Sequence, residues 1–267
     1  MIERICLCVD TSGPVCRVAV TQGDKVLASA QLNIGRTHSR SLSPLIEALL
    51  EQAELAVSDI AAYAAVVGPG SYTGLRIGVA TVQGMAFVQE REVVAISSLG
   101  ALAHRAVSET VQGGVNEPWT LALIDARNRR SYYALFRGEA LQARVLEDQV
   151  GGYEELLDEV LLEIQRVNPA DVDLRVAGEG AGLFTRDETI RQRLAELPGY
   201  RVRVVPGGIT AEALAYWSAE ALRRGEGMDA ERLQPAYLAP TQAERVREEQ
   251  LALKKARNAD GDGHVLS

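Results

Sequence analysis

The chain opens on a continuous apolar run that ends in an acidic residue, RICLCVD (residues 4–10). Two segments with period-two alternation follow, VCRVAVTQ and KVLASAQL, joined by the turn residues Gly23 and Asp24. This pattern predicts a buried strand and then a hairpin. From Ser39 to Ala53 the apolar residues Leu42, Ile46, Leu49 and Ala53 recur at helical spacing, which predicts an amphipathic helix in which Pro44 is tolerable if it lies in the first turn. IAAYAAVVG reads as a buried strand, Leu75 to Gln89 as a helix, EVVAIS as a strand and Ser98 to Glu109 as a further helix. Strand and helix now alternate, as in α/β folds.

SETVQGGVNEP (Ser108–Pro118) is polar and glycine-rich and marks a boundary. Beyond it the opening pattern returns: WTLALIDARNRRSYYALFRG is again a strand ending in Asp, a polar turn and an alternating strand, with ALQARVLE as a third. Helical patterns cover Tyr153–Val167, Phe184–Leu197 and Thr210–Arg224, with strands near DLRVAG and YRVRVVP. The repetition predicts a duplicated architecture. Residues 1–110 and 111–224 form its two related α/β domains, and 225–267 form a C-terminal segment that partly returns to the first. From Gln242 onward charge dominates, and a ragged helix or a solvated tail is expected.

Composition narrows the function classes. A net charge of −8 in 267 residues argues against a broad basic face that grips nucleic acid unaided. Cys6, Cys8 and Cys16 lie in the first apolar runs with no metal-ligand spacing, as expected of reduced core thiols in a cytoplasmic protein. No stretch approaches the roughly 20 apolar residues of a membrane span.

Candidate chemistry is sparse. Asp10, Thr11 and Ser12 sit in the turn between two strands, where they either hold phosphate near a metal or make local backbone hydrogen bonds. GPGSYTG (68–74) lacks the lysine of a phosphate loop and reads as a tight strand-to-helix turn capped by Ser71 or Thr73. On the following helix Gly74, Gly78, Thr81 and Gly84 or Met85 form a small-residue stripe beside a face of Leu75, Val79, Val82 and Ala86. Such a stripe lets another helix approach closely, whether from this chain, a second copy or another protein. Gly178 and Gly180, in VAGEGAGLF, are explained by a tight left-handed turn. The three histidines, His38, His104 and His264, form no ligand motif.

Taken in order, CVDTSGPVCRVAV, RTHSRSLSPLIEALL, VVGPGSYTGLRIGVATVQGMAF, AISSLGALA, LALIDARNRRSYYALF and LQPAYLAP resemble the TsaB (YeaZ) family over residues 5 to about 240. The resemblance implies an actin/Hsp70-like (ASKHA) fold. It implies a non-catalytic subunit in the synthesis of N6-threonylcarbamoyladenosine beside the anticodon of tRNAs reading ANN codons. The implied partners are the catalytic paralogue TsaD and the ATPase TsaE, with tRNA met only through the complex and a homodimer formed in isolation. Partner binding is then expected on His38, Leu42, Leu45, Leu49, Ser71, Tyr72, Gly74, Leu75, Arg76, Gly78, Val79 and Val82, as half of a four-helix bundle. Asp10, Thr11, Ser12, Gly178 and Gly180 would be a vestigial nucleotide site. No cofactor is implied, and ATP or ADP binding by this subunit stays open. TsaD carries an H-x-x-x-H metal motif after the corresponding strand; here Ser98 and Leu102 take those positions. His104 lies two residues on from the second of them, turned roughly 200° away on a helix. Two alternatives remain: a small-molecule phosphotransferase using the Asp10 turn, and a metallopeptidase, for which the ligands are missing.

Overall fold

The computed structural model describes residues 4–34, 38–108, 117–138, 143–167 and 171–238. In the first half the strands are β1 (Ile5–Asp10), β2 (Cys16–Gln22), β3 (Lys25–Leu32), β4 (Ala62–Gly68) and β5 (Val93–Ser97). Its helices are α1 (His38–Gln52), α2 (Tyr72–Val88) and α3 (Ser98–Ser108). The second half supplies β6 (Trp119–Asp125), β7 (Arg130–Arg137), β8 (Ala143–Gly152), β9 (Val172–Ala177) and β10 (Tyr200–Val205). Between and after these come α4 (Tyr153–Val167), α5 (Ala181–Arg186), α6 (Glu188–Ala195) and α7 (Ala211–Arg223).

The two sheets run β3-β2-β1-β4-β5 and, read from the corresponding edge, β8-β7-β6-β9-β10. Each opens with an antiparallel meander and continues with parallel strands. The same order in both halves is the duplicated α/β architecture that the repeated opening pattern predicts.

Period-two alternation sends the side chains of each central strand into two different cores. From β1, Leu7 and Val9 face α1 and α2, whereas Cys6 and Cys8 face the middle of the molecule. From β4, Tyr63, Ala65 and Val67 face outward while Ala62, Ala64 and Val66 face inward. The middle layer is α3 with α7, and the two helices are exchanged. α7 packs on β1, β2, β3 and β5, whereas α3 lies chiefly on β6, β7 and β9. The residues that meet there are mostly small, among them Ala19, Ala101, Ala103, Ala122, Ala134 and Ala213, so both sheets sit close to the helices between them. α4, α5 and α6 cover the far face of the second sheet, with Leu156, Val160 and Phe184 in one cluster with Trp119, Leu121 and Leu123.

Three sequence expectations are corrected. Pro44 lies in the second turn of α1, not the first. Its missing N–H would have served the carbonyl of the exposed Arg40, so the loss falls on the solvent side. The single helix expected over Phe184–Leu197 is two, α5 and α6, broken at Asp187, whose carboxylate caps α6 by accepting from the Ile190 N–H (3.4 Å). α2 begins at Tyr72, three residues earlier than expected. Residues 109–116 of the expected boundary segment and the expected tail from Gln242 lie outside the described residues.

After α7 the chain comes back to the first sheet. Met228 forms a bridge with Val93, and Ala230 and Leu233 are buried with α2.

Candidate functional site

Two places collect the residues singled out above: a cleft between the halves, and the exposed side of α1 and α2. The cleft has a volume of about 740 Å³. Its walls include the β1–β2 turn, the β6–β7 turn, the first turn of α2, His38 and Glu179. The two turns are built alike. Asp10 Oδ1 accepts from the Ser12 N–H (2.9 Å), and Asp125 Oδ1 accepts from the Arg127 N–H (2.8 Å). Each is an Asx turn that ends its strand.

The Asp10 turn is satisfied from within. Asp10 is buried; its Oδ1 also accepts the Ser12 hydroxyl (2.7 Å), and its Oδ2 pairs with Arg17 (3.2 Å). Burial pushes its carboxyl above the ordinary range, against the pull of Ser12 and Arg17. The Thr11 hydroxyl points away from the cleft and donates to the Gly74 carbonyl (2.7 Å). His38 Nε2 lies 2.9 Å from the Gly13 carbonyl oxygen. Opposite, Gly178 takes φ +98°, and a Cβ there would strike the Leu123 carbonyl. A Cβ on Gly180 would come within 3.1 Å of the Asp125 nitrogen. Between them Glu179 has a carboxyl raised first by burial and then by the charge of Asp10.

Of Asp10, Thr11, Ser12, Gly178 and Gly180 only Ser12 lines the cleft, with Glu179 between the two glycines on the opposite wall, and the polar groups of Asp10, Thr11 and Ser12 are spent on the protein itself. The glycines are closed by the β6–β7 hairpin rather than left open to a phosphate. A polyphosphate would also face the carboxylates of Asp125 and Glu179.

The same close packing explains the glycines of α2. Ser71 caps the helix by accepting from the Gly74 N–H (3.2 Å), and its own N–H donates to the Ser12 carbonyl (2.7 Å). A Cβ on Gly74 would collide with the Thr11 carbonyl, and one on Gly78 with the Thr11 hydroxyl. The stripe expected to admit another helix is filled by the β1–β2 turn. Gly84, farther along the stripe, has nothing within 4 Å of its Cβ position.

On the outer side, Tyr72 is 41% and Tyr237 45% exposed, and their rings stack at 4.8 Å. Arg76 Nη1 donates to the Tyr72 hydroxyl (2.9 Å), and its guanidinium lies 5.1 Å from the centre of that ring. Phe87 and Val88 are exposed at the far end of the helix. Between α1 and α2 runs a groove of about 710 Å³ lined by Ile46, Leu50, Leu55, Val57 and Met85, with Glu47 and Glu51 also on its wall.

Comparison with known proteins places this geometry. The model of the TsaD family, described as tRNA N6-adenosine threonylcarbamoyltransferase, matches residues 26–185. The solved structure titled YeaZ from Pseudomonas aeruginosa is 30% identical, with a TM-score of 0.67 over 88% of this chain and 100% of that one. The chain belongs to the TsaB/YeaZ family. In the wider sense of the TsaD model, it belongs to that family too. The curated relatives named tRNA threonylcarbamoyladenosine biosynthesis protein TsaB include those of Haemophilus influenzae and Escherichia coli. The first is 34% identical over 48% of this chain and 52% of its own length, the second 33% over 49% and 54%. The chain thus spans about half the length of the curated relatives it matches.

Of the expected partner-binding set, more than half lies inside the fold. Leu42, Leu49, Gly74, Leu75, Gly78, Val79 and Val82 are buried within the chain. The periodicity that identified the helices also marks the face they turn to their own sheet, so it selected core residues. Leu45 is half-buried, and His38 faces the cleft. Ser71, Tyr72 and Arg76 are exposed. Tyr237 was not among the expected residues, although it lies in LQPAYLAP, one of the segments that carry the resemblance; it reaches α2 through the returning C-terminal segment. Ser98 and Leu102 are buried on α3. His104 packs against Tyr216 at 4.8 Å, and burial lowers its pKa. Among the described residues no group of three or more His, Cys, Asp or Glu is arranged to hold a metal, and no helix is long and apolar enough to cross a membrane.

Proposed function

We propose that this chain is a non-catalytic accessory subunit in the synthesis of N6-threonylcarbamoyladenosine on tRNAs that read ANN codons. It binds TsaD, with TsaE joining the assembly, through the exposed side of α1 and α2, and it meets tRNA only through that assembly. The curated relatives named for this pathway support the reading. The observation that carries the non-catalytic role is the cleft. Beside the cleft between the two halves, Asp10, Thr11 and Gly180 are engaged with Ser12, Arg17, Gly74 and Leu123 of the same chain. The same engagement removes the motivation for a phosphotransferase built on the Asp10 turn.

The test is reconstitution with TsaD and TsaE from the same organism, supplied with threonylcarbamoyl-AMP, ATP and an ANN-decoding tRNA. Modification that requires this chain is expected. An equal rate without it would overturn the reading.

A further inference from the structure

The returning C-terminal segment does more than cover α2, because it fixes a second exposed aromatic side chain beside Tyr72. Four contacts hold it. The Ala236 N–H donates to the Val67 carbonyl (2.8 Å), and the Gln83 amide donates to the Leu233 carbonyl (2.9 Å). Leu233 is buried beneath, and Met228 bridges Val93. Gly68, at φ +133°, leaves room for the Ala236 carbonyl, which would lie 2.6 Å from a Cβ there. Every one of these contacts precedes Tyr237 in sequence or lies directly beside it, so the Tyr237 ring is held against Tyr72 rather than left to sample solvent.

We infer that Tyr72, Arg76 and Tyr237 form the anchor by which the α2 surface grips a protein partner, so that the interaction surface is assembled from both ends of the chain. The inference rests on the function proposed above and deepens it. Three properties support it. Tyrosine and arginine are the side chains most often found at the energetic centre of interfaces. Arg76 is already oriented by the Tyr72 hydroxyl and ring, so little rotamer freedom is lost when a partner arrives. Among the described residues none of the ion pairs involves Arg76, in a chain whose net charge is −8. The complementary partner presents an apolar side chain to the outer face of Tyr237 and a carboxylate to Arg76.

Calorimetric titration of this chain with TsaD tests the inference. Tyr237→Ala and Arg76→Ala are each expected to weaken binding at least about 30-fold, the range of interface hot spots. Tyr237→Phe, which keeps the ring, is expected to stay within about threefold of the unaltered chain. The melting temperature of Tyr237→Ala should not move, because the contacts holding the segment lie upstream of that ring. Undiminished affinity in Tyr237→Ala and Arg76→Ala would overturn the anchor alone. An unaltered chain that fails to bind TsaD would overturn both the anchor and the function on which it rests. Loss of self-association with TsaD affinity unchanged would identify a second copy as the occupant and reject the partner named here.

Discussion

Adding one methyl group at Gly78 tests why α2 carries glycines at all. In a helix interior, Gly→Ala stabilises by up to about 1 kcal/mol through backbone entropy. Here the new Cβ would fall on the Thr11 hydroxyl, while Val9 Cγ1 at 3.6 Å offers no obstacle. The Thr11 hydroxyl must rotate away, giving up its hydrogen bond to the Gly74 carbonyl inside the protein. Losing a buried hydrogen bond and leaving the carbonyl without that donor costs about 1–3 kcal/mol. Gly78→Ala should therefore be destabilising by about 1–2 kcal/mol. Thr11→Ala removes the obstacle, so in that background the same substitution should turn neutral or stabilising. The two changes are expected to couple by about 2 kcal/mol, well above the scatter of additive pairs. Urea unfolding of the four proteins, read by circular dichroism, supplies the cycle. Gly74→Ala should be worse than Gly78→Ala, because it meets the Thr11 backbone carbonyl, which cannot rotate away. A Gly78→Ala penalty of equal size with and without Thr11 would refute the assignment of these glycines to the β1–β2 turn.

Three further outcomes follow from two buried groups. The Cys16 thiol is pushed up to about 11, first by burial and then by the charge of Asp10, against the pull of Arg17. At pH 8 its thiolate should be on the order of 100-fold scarcer than that of an ordinary cysteine, so iodoacetamide should leave it unmodified in the folded protein; labelling at the rate of a free thiol would contradict this. The folded thiol keeps its proton where the unfolded one has lost it, so its contribution to stability is full below about pH 9 and is lost as pH climbs toward 11, a trend that Cys16→Ala should flatten in urea titrations. Arg175, 2% exposed, reaches across from β9 to the Ala106 carbonyl near the end of α3 (2.9 Å) and pairs with Asp173, which Arg203 also contacts. Arg175→Met should cost about 2–4 kcal/mol by leaving that carbonyl and part of the Asp173 charge uncompensated; a change under about 1 kcal/mol in urea unfolding would show the tie to be dispensable.

The alternation of strand and helix, the duplicated opening of the two halves and the Ser71 cap were legible in the sequence, because each depends on residues within one turn or one strand of each other. The direction of the α2 glycines was not. Periodicity says which residues share a stripe, and what fills the stripe is Thr11, more than sixty positions away. For the same reason the apolar residues chosen as a partner surface proved to be core: an amphipathic helix shows most strongly the face it buries. Asp187 was readable in principle, since an Asp followed by Glu188 is a helix-start signal. It was overridden by apolar spacing that runs through from α5 to α6. The exchange of α3 and α7 between the sheets, and the arrival of Tyr237 beside Tyr72, are products of topology with no local signature.

The most direct measurement compares two single variants in the reconstituted modification reaction with TsaD and TsaE. Arg76→Glu reverses the charge on the exposed face of α2, and Glu179→Gln removes a charge from the cleft. If the chain acts as a scaffold through its helix surface, threonylcarbamoyl transfer to tRNA should collapse with Arg76→Glu and continue unchanged with Glu179→Gln. Activity that survives Arg76→Glu and is lost with Glu179→Gln would contradict this and return the chemistry to the cleft.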